Sequence, residues 1–304
     1  MRQSHLGKTT RTHTRVRLVK LRWLLLAMMV STFLATAEKN ALSAPPLLFG
    51  RNQKEQKQAA DRIPMNQLDA NAREKVLSII NHTSVHRQMT PQVIDCDPRY
   101  YMFLIRHPEV IVNIWRLMDA TDMSIRRDGP EQFTATDGAG TVGTLEFLYG
   151  DQHVHILYGK GSYTGNLTKR PIRADCLLVL YSEFIPHKNG RQYVRSKMDL
   201  FIDVKNVGLD LIARTFQNLI GNTTDQNFVE TANFVTKLSR TTEENGPGVQ
   251  HLAMRLSDVD EATREAFALH AGTVFQRSLL SNQTAKSIGP KLPTETAAVP
   301  IISR

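Results

Sequence analysis

The sequence predicts an α+β fold, an antiparallel β-sheet covered by C-terminal helices. Two observations predict it. Apolar spacing is helical up to about residue 118, changes to a period of two from Met123, and becomes helical again after Val204. Within the strand region, Asn189-Gly190 separates two long apolar-rich runs, which is the strongest short marker of a hairpin.

Taken in order, the first helix starts at Asp69, with Ala72, Val76, Ile79 and Ile80 on one face. Asp97-Pro98 supplies an N-cap and a first-turn proline. His107-Pro108 restarts a helix whose stripe is Ile111, Ile114, Trp115 and Met118. MSIRRDG and EQFTATDG then flank Gly129-Pro130, a turn signal, and open a run of about six strands. In the next strand Leu145, Phe147 and Tyr149 share one face, with Thr144 and Glu146 opposite. CLLVLYSEFI over 176–185 is apolar on both sides and is expected to be a well-covered strand. Beyond the hairpin, Val194, Met198, Leu200, Ile202 and Val204 alternate with charged residues. A helix with the stripe Val207, Leu211, Ile212, Phe216, Leu219 and Ile220 follows directly and is expected to cover the apolar side of that strand. Gly221-Asn222 ends it, and a second helix carries Phe228, Val229, Ala232, Val235 and Leu238. A last helix is expected from Ser257, whose hydroxyl would cap it.

The chain has 304 residues, 41% of them hydrophobic and 22% charged, which suits a globular protein with a substantial core. The net charge of +9 is concentrated at one end. Seven basic side chains and no acidic one fall within residues 1–37, so only about +2 remains for the rest. That balance does not imply a basic, phosphate-tracking surface, and no nucleic-acid partner is expected. The basic region, a 15-residue uncharged run from Trp23 and the Ala35-Thr36-Ala37 site together form a secretory signal pattern. The run is shorter than the roughly 20 residues of a membrane-spanning helix. The expected location is therefore extracytoplasmic, periplasmic or secreted, with a membrane surface as an alternative partner and retention of the N-terminal segment as an anchor as the alternative to its removal. The boundaries read from composition are a signal peptide at 1–37, a linker at 38–64, a single α+β domain at 65–272 and a disordered tail at 273–304. Cys96 and Cys176 are read as two buried free thiols, with pairing in an oxidising compartment as the alternative.

Motifs for chemistry are sparse. His153 and His155 sit one residue apart, so on a strand both would face the same side. A catalytic zinc site needs three protein ligands, and no third ligand is in view; the pair His82 and His86 lacks the metalloprotease pattern. Gly159-Lys160-Gly161 through Gly165 has the wrong order for a phosphate loop. No nucleophile elbow occurs, and the cysteines lack the flanking residues of a thiol enzyme. Neither a cofactor nor a metal is expected.

The helix HPEVIVNIWRLMDAT, the hairpin CLLVLYSEFIPHKNGRQYVRSKMDLFIDV and the helix NVGLDLIARTFQNLI resemble, in their order, the helix-grip fold of the START-like superfamily, which includes polyketide cyclases and lipid-transfer domains. The resemblance spans about residues 95–243. It implies a cavity for an apolar ligand between the curved sheet and the final helix, and it transfers no catalytic residue. The function expected is that of an exported, non-enzymatic binding protein for a lipid or other apolar small molecule. His153 and His155 would orient the ligand, and Met198, Leu200 and Leu211 would line its site. A cyclase-like or hydrolytic enzyme using the same cavity is one alternative, with a histidine as general acid or base. A cell-envelope interaction protein with no cavity is the other.

Overall fold

A computed structural model describes residues 53–164, 171–187, 191–205 and 222–287. The elements in chain order are α1 (Gln53–Asp61), α2 (Ala70–His82), β1 (Val85–Gln88), β2 (Gln92–Ile94), α3 (Pro98–Arg106), α4 (Pro108–Leu117), β3 (Ser124–Arg127), β4 (Gln132–Thr136), β5 (Thr141–Gly150), β6 (Val154–Tyr163), β7 (Ile172–Pro186), β8 (Gln192–Lys205), α5 (Asn222–Glu244), α6 (Gly246–Ala253) and α7 (Glu261–Ser287). The strands form one sheet of eight, ordered β1-β8-β7-β6-β5-β4-β3, with β2 also on β8. All of their pairings are antiparallel. The α+β class is thus the one the periodicity indicates.

The helix starts follow from their caps. Asp69 accepts from Ala72 N–H at 2.8 Å to open α2, and Asp97 accepts from Arg99 and Tyr100 N–H at α3, where Pro98 fills the first turn. The last helix is capped by Asp260, which accepts from Thr263 N–H at 2.9 Å, rather than by Ser257. It runs to Ser287, so helix extends into the segment read as a disordered tail.

Because side chains alternate along a strand, β7 and β8 distribute their residues between two layers. Cys176, Leu178, Val194, Met198, Leu200 and Ile202 face inward to a core shared with α3, α4 and the C-terminal helices. Leu177, Val179 and Phe201 face outward, where Ala59, Ile63, Leu68, Ala72, Val76 and Ile79 cover them. The outer layer is built by α1, α2 and the turn between them. Its presence moves the start of the folded chain upstream of Met65, into the segment 38–64 read as a linker: α1 lies there, and Ala59 is fully buried. Gln, Lys and Glu dominate α1 and hide the two alanines, Ala59 and Ala60, that dock.

Two strands more than the six expected are present among the described residues, and β1 and β2 are short edge pieces paired with β8. Tyr149 also departs from expectation. A bulge in β5 between Phe147 and Tyr149 shifts the register, so Phe147 faces the inner core while Tyr149 packs on the outer one. The hairpin is borne out by its flanks, since Pro186 pairs with Gln192 and His187 N–H donates to Arg191 O at 2.8 Å. Asn189-Gly190 itself, Gly165 at the end of the glycine-rich stretch, and the helix expected over 207–220 with Leu211 lie outside the described residues, whereas Gly159 to Tyr163 belong to β6. The second expected helix is α5, and Phe228, Ala232, Val235 and Leu238 are buried as its stripe requires.

The outer layer is locked by one carboxylate. Asp199 is fully buried on the outward face of β8. It accepts from Arg62 Nη2 at 2.9 Å and from Gln88 Nε2 at 2.9 Å, and His86 Nε2 stands 3.4 Å away. Burial alone would push this carboxyl up, but the hydrogen bonds of His86, Gln88 and Arg62 outweigh it and hold the group down at about 2. Replacing Arg62 by alanine leaves a buried acceptor short of one donor. Arg62→Ala is expected to cost about 1–3 kcal/mol in chemical denaturation; wild-type stability in that variant would show the pair to be idle.

Candidate functional site

The inner core is not filled. A cavity of about 130 Å³ lies between the sheet and the helices. Its floor is Leu157 of β6, Leu178 and Leu180 of β7, and Ser196 and Met198 of β8, with Ile94 of β2 at the edge. Tyr101, Leu104 and Ile105 of α3 and Pro108, Ile111, Val112 and Trp115 of α4 make the walls. Phe228, Thr231, Ala232 and Val235 of α5 close the top. An engineered cavity of roughly 150 Å³ with aliphatic and aromatic walls stays dry and admits benzene, so this space is of molecular size.

Each wall is in place for a local reason. Every residue from Pro108 to Trp115 is buried, and α4 is anchored at its start by Glu109. That carboxylate, itself buried, accepts from Arg127 Nε of β3 at 2.8 Å and lies 3.3 Å from His107 Nδ1. The covering helix α5 is held at both ends by ion pairs to the sheet edge. Arg87 of β1 pairs with Asp225. At the other end Arg191 bridges Asp95 at 2.8 Å and Glu243 at 2.7 Å, and Arg240 also meets Asp95.

Polar groups on the cavity wall are few. Thr231 Oγ1 donates to Asn227 O of its own helix at 2.7 Å. Tyr101 O–H donates to Ser196 Oγ at 3.1 Å, and the same phenol lies 3.1 Å from Ser182 Oγ. Burial pushes the Tyr101 phenol up from its ordinary value, so it stays protonated and remains a donor. Trp115 Nε1 is buried with no hydrogen-bond partner among the described residues.

The two histidines part company. His153 is exposed on the bend before β6, where Asp151 Oδ1 accepts from the His153 and Val154 amides at 2.7 Å. Its Nδ1 lies 3.3 Å from Ser182 O. His155 is 1% exposed on the inward face of β6, opposite Leu180 of β7 and Gly150 of β5. Its ring stands edge-on to Phe147 at 6.2 Å, and Nδ1 has no hydrogen-bond partner among the described residues. Neither histidine lines the cavity, although Leu157 and Leu180 beside His155 do. Leu200 is buried in the inner core and is not part of the lining either; of the five residues expected there, Met198 alone is, with Leu211 undescribed. Sequence periodicity missed the contributions of α3 and of Ser196, because a single serine among apolar alternation carries no signal of a cavity. Among the described residues no group of three or more His, Cys, Asp and Glu side chains could hold a metal ion. Cys96 and Cys176 are both free and buried, and burial pushes the Cys176 thiol up to about 12.

Burial, followed by the charge of Arg106, pulls His155 down to about 4. Gly150 permits that approach: a Cβ there would stand 2.5 Å from Arg106 Nη1 and 2.9 Å from His155 Cδ2. The Arg106 guanidinium lies over the Phe147 ring at 4.9 Å and pairs with Glu131. A folded value of about 4 against 6.5 for the free side chain means that the folded state favours neutral His155. Its contribution is complete above pH 6.5 and is lost as the pH falls toward 4. His270 is lowered as well, so the test is a difference between proteins. The melting temperature of wild type should fall more steeply between pH 6.5 and 4 than that of His155→Asn; parallel curves would clear His155 of the effect.

No family model matches the chain, and no curated protein matches it. Among solved structures, an uncharacterised protein of Rhizobium leguminosarum is 11% identical, covering 48% of this chain and 96% of its own, with a TM-score of 0.28. A hypothetical protein of Helicobacter pylori is 12% identical over 49% of this chain and 89% of its own, at a TM-score of 0.32. A protein of Rhizobium loti is 12% identical over 47% and 97%, at 0.28. Likeness at that level carries no assignment, and the site stands on its own geometry.

Proposed function

We propose that this protein binds a small apolar molecule between its sheet and α5, and performs no chemistry on it. One observation carries the reading: a cavity of about 130 Å³ whose lining, among the described residues, holds no charged side chain. Ligand sites are commonly apolar concavities with a few oriented polar groups, and the Tyr101–Ser196 pair is such a group. Support for a START-like, helix-grip relationship comes from the arrangement of elements. A helix pair lies between the β2 and β3 strands, β1 closes onto the last strand β8, and a helix covers the inner face. The enzyme reading loses support from the histidines, since His153 and His155 both stand outside the lining. The size argues against complete enclosure of a long acyl chain and in favour of a compact molecule.

The test is native mass spectrometry of protein isolated from its own host. A small adduct is expected on the wild type and absent from Ala232→Phe, whose ring would occupy the space under α5. A wild type without adduct that also takes up no apolar probe would leave the cavity as a packing void and end this reading.

Export belongs to the same proposal. It rests on the basic N-terminal region, the 15-residue apolar run and Ala35-Thr36-Ala37. N-terminal sequencing of the mature protein should begin near Glu38 or after Ala44, upstream of α1; an intact Met1 on a soluble cytosolic protein would refute it.

A further inference from the structure

The hydroxyls beside the cavity form a chain with a direction. Tyr101 gives its one proton to Ser196 Oγ. The contact between Tyr101 and Ser182 must then run the other way, with Ser182 O–H donating to the phenol oxygen. Ser196 thus accepts one hydrogen bond and still has its own proton to donate, and no hydrogen bond given by it is formed among the described residues. Ser196 lines the cavity and is itself 1% exposed to solvent. Trp115, on the opposing wall, adds a second donor without a partner. Ser196 and Trp115 thus each carry an unused donor, and a buried donor left unmade costs free energy that an occupant with an acceptor can restore. Hydrogen bonds passed along such a chain also polarise one another, which strengthens the last donor.

We infer that the occupant is a neutral molecule of about benzene size carrying a hydrogen-bond acceptor, a carbonyl or ether oxygen, that receives the hydroxyl proton of Ser196. This rests on the ligand-binding reading above and narrows it. Neutrality follows from the lining, since an ionised group would be desolvated and the described residues of the wall offer no opposite charge to meet it. The size follows from the volume of about 130 Å³, and the acceptor from the direction of the hydroxyl chain.

Cyclohexanone and its isostere methylenecyclohexane differ only in replacing the carbonyl oxygen by a methylidene group. Both are titrated into the full chain labelled at the methionine methyls, with the Met198 signal, assigned through Met198→Leu, reporting occupancy of the cavity. In Ser196→Ala, cyclohexanone should bind about three- to tenfold more weakly, while methylenecyclohexane is unchanged or slightly tighter. Tyr101→Phe keeps the Ser196 hydroxyl and removes the donor behind it, so a smaller loss for cyclohexanone alone is expected; this variant decides the matter if Ser196→Ala fails to fold. Equal effects on both probes would overturn the inference and leave the binding reading intact. Tighter binding of benzoate or palmitate than of cyclohexanone at the Met198 signal would overturn it too. No response of Met198 to either probe would defeat both readings together.

Discussion

The β7–β8 pairing is the constraint on which the rest of the structure depends. It runs from Arg173 opposite Lys205 to Pro186 opposite Gln192, and in both strands alternate residues belong to different layers. A slip of one residue would exchange the layers. Ser196 and Met198 would leave the cavity floor, and Asp199 would enter an apolar space without Arg62 or Gln88. Since both faces are covered, neither can tolerate the exchange, and the register is specified twice over.

The two faces handle polarity in opposite ways. Outside, Asp199 is a buried charge surrounded by donors, and the structure uses it to bind β8, β1 and the segment after α1 into one unit. Inside, charge is confined to the margin. Arg87, Arg191 and Asp95 hold α5 from the sheet edge, and Arg106 stays beside His155 without entering the lining. An apolar cavity with hydroxyl chemistry at one wall is the result. Ion pairs at such partly exposed positions contribute little each, so the covering helix is positioned by several weak clamps and by its own apolar stripe.

Much of the architecture was legible in the chain. Strand and helix regions, the hairpin around Asn189-Gly190 and the buried stripe of α5 all follow from periodicity and turn chemistry. What escaped has physical causes. The helix α1 docks through Ala59 and, in part, Ala60, against a polar background that imitates a linker. The short strands β1 and β2 owe their conformation to pairing with β8, a tertiary effect that four- and three-residue runs cannot announce. Tyr149 continues the alternation of Leu145 and Phe147 on paper, and only the bulge turns it outward. For the cavity, the inward position of Met198 was legible because apolar alternation marks an inward face. The histidines were attractive by residue type and spacing, yet one lies before the strand and the other is taken up by Phe147 and Arg106.

The outer layer has a further consequence for how the chain acquires its structure. Its helices come first in sequence, but the strands they rest on come last. Gln88 reaches Asp199 across 111 residues, and Arg62 reaches it across 137. Contacts this distant must absorb loop-closure entropy before they return anything, which places the fold among the slow formers. Until β8 arrives, β7 offers apolar surface on both sides and β1 has no neighbour to pair with. A growing chain therefore stays open along almost its whole length, and the last strand sets both layers at one stroke.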